Sequence, residues 1–200
     1  MLEEEYQQRR QLPRALRKQP PEEPPFSYVI RPALEADLPG IREVYNLYVA
    51  NSTVTFDEKA KTLREWRTTF AKAQKLQMPM LVAESPSGHI LGYTMVMPWQ
   101  SKAAYRFTVE NSIYLHPAST GKGLGKALLA ALIDACQEVG IREIIAVIAD
   151  RGADASIRLH ASFGFKEVGR MGRVGFKFDR WLGTVMMQKS IKKKPRRERA

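Results

Sequence analysis

Cysteine is almost missing from this chain: Cys136 is the single one among 200 residues. One cysteine excludes an internal disulfide framework and a cysteine-based metal cluster, and points to a reducing compartment, the cytoplasm. Histidine is scarce as well. His89, His116 and His160 are scattered, so no metal site is expected. No apolar run approaches the roughly 20 residues of a membrane-spanning helix. The opening, with Glu3, Glu4 and Glu5 and no apolar stretch behind them, does not read as a signal peptide. No internal repeat is visible. Acidic residues are outnumbered, 21 against 32 basic ones, for a net charge of +11. Much of that excess sits in the last ten residues, which hold six basic groups and one acid, while residues 1–27 balance five against five. The middle is therefore only moderately basic. That suits a polyanionic small-molecule cofactor without calling for nucleic acid, although the tail leaves nuclear import open.

Composition divides the chain into three parts. Residues 1–27 are charged, Gln-rich and broken by Pro13, Pro20, Pro21, Pro24 and Pro25, as expected of a disordered extension. Residues 28–189 read as one domain with a substantial core, and 190–200 as a basic tail. Within the domain, strands are expected at Tyr28–Ile30, Met80–Glu84, Ile90–Val96, Tyr105–Leu115 and Glu143–Ala149. A closing hairpin, Phe165–Phe178 with Trp181–Gln188, is expected to turn at Asp179-Arg180. Helices are expected after Asp37-Leu38-Pro39 with Asp37 as cap, after Thr62 with Glu65 completing a capping box, after the glycines at 121–125, and from a cap at Asp154 to Phe163. This pattern means an α/β or α+β fold around one mixed sheet flanked by helices.

Around Tyr105–Leu132 the sequence is most informative. A strand rich in β-branched and aromatic residues leads through Pro117 into Gly121-Lys122-Gly123-Leu124-Gly125-Lys126 and then an amphipathic helix. Unpaired N–H groups at a helix start, glycines without Cβ atoms, and Lys122 and Lys126 together make a cradle for phosphate. Taken alone, such a cluster is more often an ordinary strand-to-helix turn. Spacing excludes two nucleotide motifs. Thr120 and Ala127 stand where a Walker loop needs Gly and Ser/Thr, and Lys126 stands where a dinucleotide fingerprint needs Gly. Alternation along the strand places Arg106, Thr108 and Glu110 on one face.

The segment HPASTGKGLGKALL resembles the pyrophosphate loop of the Gcn5-related N-acetyltransferases. Four ordered blocks extend the likeness over about Tyr28–Lys189: NSTVTFDE, AYRFTVENSIYLHP, SIRLHASFGF and GRVGFKFDRWLGTVMMQ. Together they resemble the phosphinothricin N-acetyltransferase branch. Thr120 departs from the family's Arg or Gln, and Ala153 stands where an Asn often does.

The resemblance implies an acetyltransferase fold and acetyl-CoA as co-substrate, held by Ile113, Tyr114 and Leu115 and by the loop Gly121, Lys122, Gly123, Leu124, Gly125 and Lys126. Glu110 would be the general base and His160 the general acid, although a lone His on a helix is more often structural. A backbone N–H near Ile113–Leu115 would polarise the thioester. Thr55, Phe56, Arg106, Thr108, Lys177 and Trp181 would shape a pocket for a small amino acid or analogue of the phosphinothricin or methionine sulfoximine type. Thr55 read alone is as readily a turn residue. Family members are generally homodimers. Competing readings are a peptide N-terminal or polyamine acetyltransferase on the same fold, and a weakly catalytic CoA-binding or nucleic-acid-associated protein.

Overall fold

Residues 26–192 are described by a computed structural model. Residues 1–25 of the expected disordered extension, and the tail from residue 193, lie outside the described residues. Seven strands form one sheet in the order β1-β2-β3-β4-β5-β7-β6. They are β1 (Val29–Pro32), β2 (Met80–Glu84), β3 (Ile90–Pro98), β4 (Thr108–Leu115), β5 (Glu143–Ala149), β6 (Lys166–Lys177) and β7 (Arg180–Ser190). Every neighbouring pair is antiparallel except β4 with β5, which run parallel. A parallel pair needs a crossover, and α3 (Leu124–Glu138) supplies it. The helices α1 (Leu38–Asn51), α2 (Leu63–Lys75) and α4 (Asp154–Ser162) complete the chain.

Two cores flank the sheet. On one face Ile41, Val44 and Tyr45 of α1 and Trp66 and Phe70 of α2 pack with Val82, Tyr93 and Met95. On the other, Leu129 and Leu132 of α3 pack with Val96, Val109, Ile144, Ile148 and Val185. Cys136 lies in this second core, where burial pushes its thiol up to about 12, so it is a packing residue. Among the described residues no helix is long and apolar enough to cross a membrane.

Several local expectations meet the structure closely. Thr62 and Glu65 form the reciprocal capping box at α2: Glu65 N–H donates to Thr62 Oγ1 at 3.2 Å and Thr62 N–H to Glu65 Oε2 at 2.7 Å. Others are corrected. Asp37 does not cap α1 with its side chain; its carboxylate accepts from Leu34 N–H and from the Arg31 guanidinium, closing the short turn ahead of the helix. Asp154 is the first residue of α4, and Ala153 takes the cap position without a side-chain bond. The last hairpin turns one residue early, at Phe178 and Asp179, both with positive φ (51° and 56°) as a two-residue hairpin loop demands. The described residues include neighbours on both sides of 28–189. Phe26 packs beside Tyr28, and Ile191 is buried in the core.

The largest correction is at Arg106. The expected strand from Tyr105 begins only at Thr108; Ala103–Tyr105 form a short 3-10 turn, which Arg106 closes. Arg106 therefore shares no strand face with Thr108 and Glu110. Its guanidinium lies over the Phe107 ring at 4.6 Å and donates to Ala103 O, exposed to solvent.

Candidate active site

The sheet opens at its centre. β4 pairs with β3 along its whole length, from Val109↔Pro98 to Leu115↔Gly92, but with β5 only as far as Asn111↔Ala146. Beyond that rung β5 stays with β7 through Ala149↔Thr184, so the two central strands part into a V. The direction of the free peptide groups follows from alternation. Val96 donates its N–H to Pro79 O, away from β4. Asn111, opposite Val96, therefore turns its own groups toward β5, and so do Ile113 and Leu115. Ile113 is thus the first residue whose N–H points into the opening without a strand partner.

A cleft of about 890 Å³ occupies this V. Glu110, Ile113, Tyr114, Leu115, Gly121, Gly123, Gly125, Lys126 and His160 all border it. The glycine loop closes one end. Gly121 and Gly123 have φ of +74° and +81°, a region that residues with a Cβ rarely adopt. Gly123 is the N-cap of α3, so the free N–H groups of the helix start open onto the cleft. Lys126 and Arg158 add positive charge to its walls. A groove ending in helix-start N–H groups and cations suits a phosphate-bearing ligand.

Glu110 is half-buried on the α1–α2 face of β4, and burial raises its carboxyl above the ordinary range. Nearby Tyr114 packs against Tyr45, Tyr48 and Tyr93, and burial pushes its phenol up to about 12, so it stays protonated. Tyr48 donates its hydroxyl hydrogen to Leu115 O at 2.6 Å, tying α1 to the outer end of β4.

His160 comes from the other face. It is 2% exposed and rests edge-on against Phe165. Its Nδ1 is 2.8 Å from Ser156 O and its Nε2 3.0 Å from Asn111 Nδ2. Burial holds its pKa below the usual imidazole value, against a smaller opposing effect of the bond to Ser156 O.

The remaining expected residues lie around the cleft rather than on it. Thr55 is buried; its Oγ1 is 2.9 Å from Tyr45 Oη and accepts the Asp57 N–H at 3.3 Å. Phe56 packs against Gly175, where an added Cβ would come within 2.5 Å of the ring. Lys177 is buried and donates to Ser52 O and Thr55 O at 2.8 and 2.9 Å. These three lock the 52–57 segment, of which Val54 borders the cleft. Thr108 begins β4 on the Glu110 face. Lys122 is turned away over the Phe26 ring at 4.8 Å, and the Leu124 side chain is fully buried, leaving only its backbone for a ligand. Trp181 is half-exposed, packed on Phe176 and under Arg173. Sequence reasoning missed Asn111, Tyr48, Ser156 and Arg158. Tyr48 was legible only as part of a helix stripe, and Asn111 only as the residue that alternation turns away from Glu110.

Comparison with known proteins agrees with this geometry. A model of the acetyltransferase (GNAT) domain matches residues 30–186. Phosphinothricin N-acetyltransferase of Alcaligenes faecalis is 40% identical over 162 residues, 81% of this chain and 82% of that protein. An L-methionine sulfoximine/L-methionine sulfone acetyltransferase of Pseudomonas aeruginosa is 40% identical over 166 residues, 83% of this chain and 96% of its own. Among solved structures, a phosphinothricin acetyltransferase from Sinorhizobium meliloti in complex with acetyl-CoA superposes with a TM-score of 0.79 at 40% identity, covering 83% of this chain and 89% of the other. A Salmonella typhimurium protein with its cofactor acetyl-CoA reaches 0.80 at 36% identity, covering 88% and 100%. The parted strands, the glycine cradle and the match over most of the chain have one common explanation: the chain belongs to the GNAT acetyltransferase family.

Proposed function

We propose that this domain transfers the acetyl group of acetyl-CoA directly to the amino group of a small amino acid or analogue, of the phosphinothricin or methionine sulfoximine type, with Glu110 as general base. The observation that carries this reading is the position of Glu110. Its half-buried carboxylate borders the cleft three residues from the first free N–H of the opened strand.

Acetyl-CoA supplies an activated thioester. The N–H groups around Gly121–Lys126, with Lys126 and Arg158, would hold its phosphates, and the parted strands its pantetheine arm. Ile113 N–H is available to a carbonyl oxygen, where a fixed donor favours developing negative charge. Glu110 takes the proton that an ammonium must lose before its nitrogen can attack. A carboxyl whose pKa is raised by burial accepts a proton more readily than an ordinary one.

The acceptor class is supported by the relatives at 40% identity, which act on phosphinothricin and on methionine sulfoximine or sulfone. Arg106 and Lys177 do not border the cleft of a single chain, so the acceptor's anionic group needs another donor. A homodimer would bring a second surface, and the β6–β7 hairpin exposes Val168, Met171, Val174, Phe176, Phe178 and Trp181 for one. The test is thiol release from acetyl-CoA with a panel comprising phosphinothricin, methionine sulfoximine, methionine sulfone, standard amino acids, a polyamine and a peptide N-terminus. Turnover on the amino-acid analogues is expected. Turnover confined to the polyamine or the peptide would replace this reading with the competing one.

A further inference from the structure

Asn111 and His160 meet at the point where β4 and β5 separate, since Asn111 forms the last rung with β5 and His160 reaches it from α4. The hydrogen positions at this contact follow from chemistry. Nδ1 has two neighbours, Ser156 O at 2.8 Å and Ser156 Oγ at 3.4 Å; the carbonyl oxygen can only accept, so the shorter contact requires the ring hydrogen on Nδ1. In the neutral ring Nε2 is then the acceptor, and Asn111 Nδ2–H is its donor at 3.0 Å. The ring therefore has no hydrogen on the nitrogen that faces β4. One atom is left over: Asn111 Oδ1 is buried and has no hydrogen-bond partner among the described residues. A buried polar atom in that condition costs free energy, and here it sits on the same amide that occupies Nε2.

We propose that Asn111 is the positioning residue that sets the proton state of His160. With Nδ2 toward the ring it holds His160 neutral, as the Nδ1–H tautomer. With the amide rotated, Oδ1 would accept from an Nε2–H, which is the arrangement a doubly protonated ring requires. His160 can then take up a second proton from solvent at Nε2, and return it there, only with the amide in this rotated arrangement. No carboxylate contacts the ring: among the described residues none of the ion pairs includes His160. The titratable groups sharing its cleft are Glu110 and Tyr114 on β4, Tyr48 on α1, Lys126 on α3 and Arg158 on α4. Glu110 is one residue from Asn111 but on the opposite face of the strand. The role in turnover rests on the acetyltransferase reading; the tautomer does not.

The test is nitrogen-15 NMR of the His160 ring in the full chain without substrate, for the native protein, Asn111→Asp and Asn111→Leu. The native ring is expected as the Nδ1–H tautomer, with a pyridine-like Nε2. Asn111→Asp replaces the donor with an anionic acceptor and should raise the His160 pKa by about one unit or more. The shift should reappear as an upward displacement of the pH profile of kcat. Asn111→Leu adds no charge and offers nothing to an Nε2–H, so it should lower kcat several-fold while the affinity for acetyl-CoA stays the same. A native Nε2–H tautomer, or a folded Asn111→Asp protein whose ring titrates as in the native one, would overturn the assignment. So would Asn111→Leu with full kcat. Failure of every acetylation assay with the expected tautomer present would instead count against the enzyme reading alone.

Discussion

The Lys177 ammonium donates to Thr55 O at 2.9 Å across 122 residues of sequence, and to Ser52 O at 2.8 Å. This buried contact fastens the end of β6 to the segment between α1 and α2, behind Val54 on the cleft wall. Lys177→Met keeps the apolar stem and strands both carbonyls. Leaving a buried acceptor unpaired costs about 1–3 kcal/mol, so the denaturation midpoint should fall accordingly. The loosened wall should raise KM for the acceptor with little change in acetyl-CoA affinity. An unchanged midpoint, measured in urea, would mean that the contact does not secure the segment.

The glycine loop gives a second test. Gly123 has φ of +81° and an added Cβ would meet nothing within 4 Å, so packing alone would allow a side chain. The backbone conformation would not, because a Cβ there costs roughly 1–2 kcal/mol. Gly123→Val should rebuild the loop and weaken acetyl-CoA binding at least tenfold, roughly 1.4 kcal/mol. Gly123→Asn should weaken it less, since Asn tolerates the left-handed region. Calorimetry showing native affinity in folded Gly123→Val would remove the loop as the anion cradle.

Two truncations separate the basic tail from the fold. Ile191 is 7% exposed, its N–H donates to Arg142 O, and Lys192 O accepts from Gln137 Nε2. Removing residues 193–200 should leave both stability and turnover unchanged. Removing residues 191–200 should cost about 1.5–3 kcal/mol for the buried isoleucine, read as a lower unfolding midpoint. Equal behaviour of the two would show that Ile191 is not anchored, and lost turnover in the shorter deletion would place the tail in the active unit.

Elements governed by local rules were legible in the sequence. The Thr62–Glu65 box and the strand Glu143–Ala149 depend on contacts within a few residues, and on burial strong enough to leave an unbroken apolar run. Arg106 was misplaced because Tyr-Arg-Phe-Thr has strand propensity, while the chain there is still turning out of a 3-10 segment. β-propensity describes fit to a half-buried pleated surface, and residues 105–107 are exposed. Lys177 was expected at a binding pocket from the family resemblance and its place near the hairpin turn, whereas the structure buries it, which is rare for a lysine. Only the tertiary structure brings two carbonyls of a loop more than 120 residues away onto its ammonium. Asn111 carried no signal of its own, because its partner His160 is fixed by a crossover and a helix that sequence periodicity does not align.

Glu110 carries the chemical part of the proposed mechanism, and its burial has a consequence with a defined sign. Its folded pKa lies above the unfolded one, so the folded protein keeps that proton to higher pH. Stability from this group is complete below the ordinary carboxylate range and is lost as pH rises through the raised value. Glu110→Gln removes the buried charge and should be at least as stable as the native protein at neutral pH. Its kcat there should drop by about 10²–10⁴-fold, the usual contribution of a general base, with acetyl-CoA affinity unchanged. The deficit should shrink as pH rises and solvent deprotonates the amine, while the acid limb of the native pH profile disappears. The decisive measurement is therefore kcat of Glu110→Gln against pH on the best acceptor: a large, pH-dependent loss is expected, and full activity at neutral pH in the folded variant would contradict the assignment of Glu110 as the base.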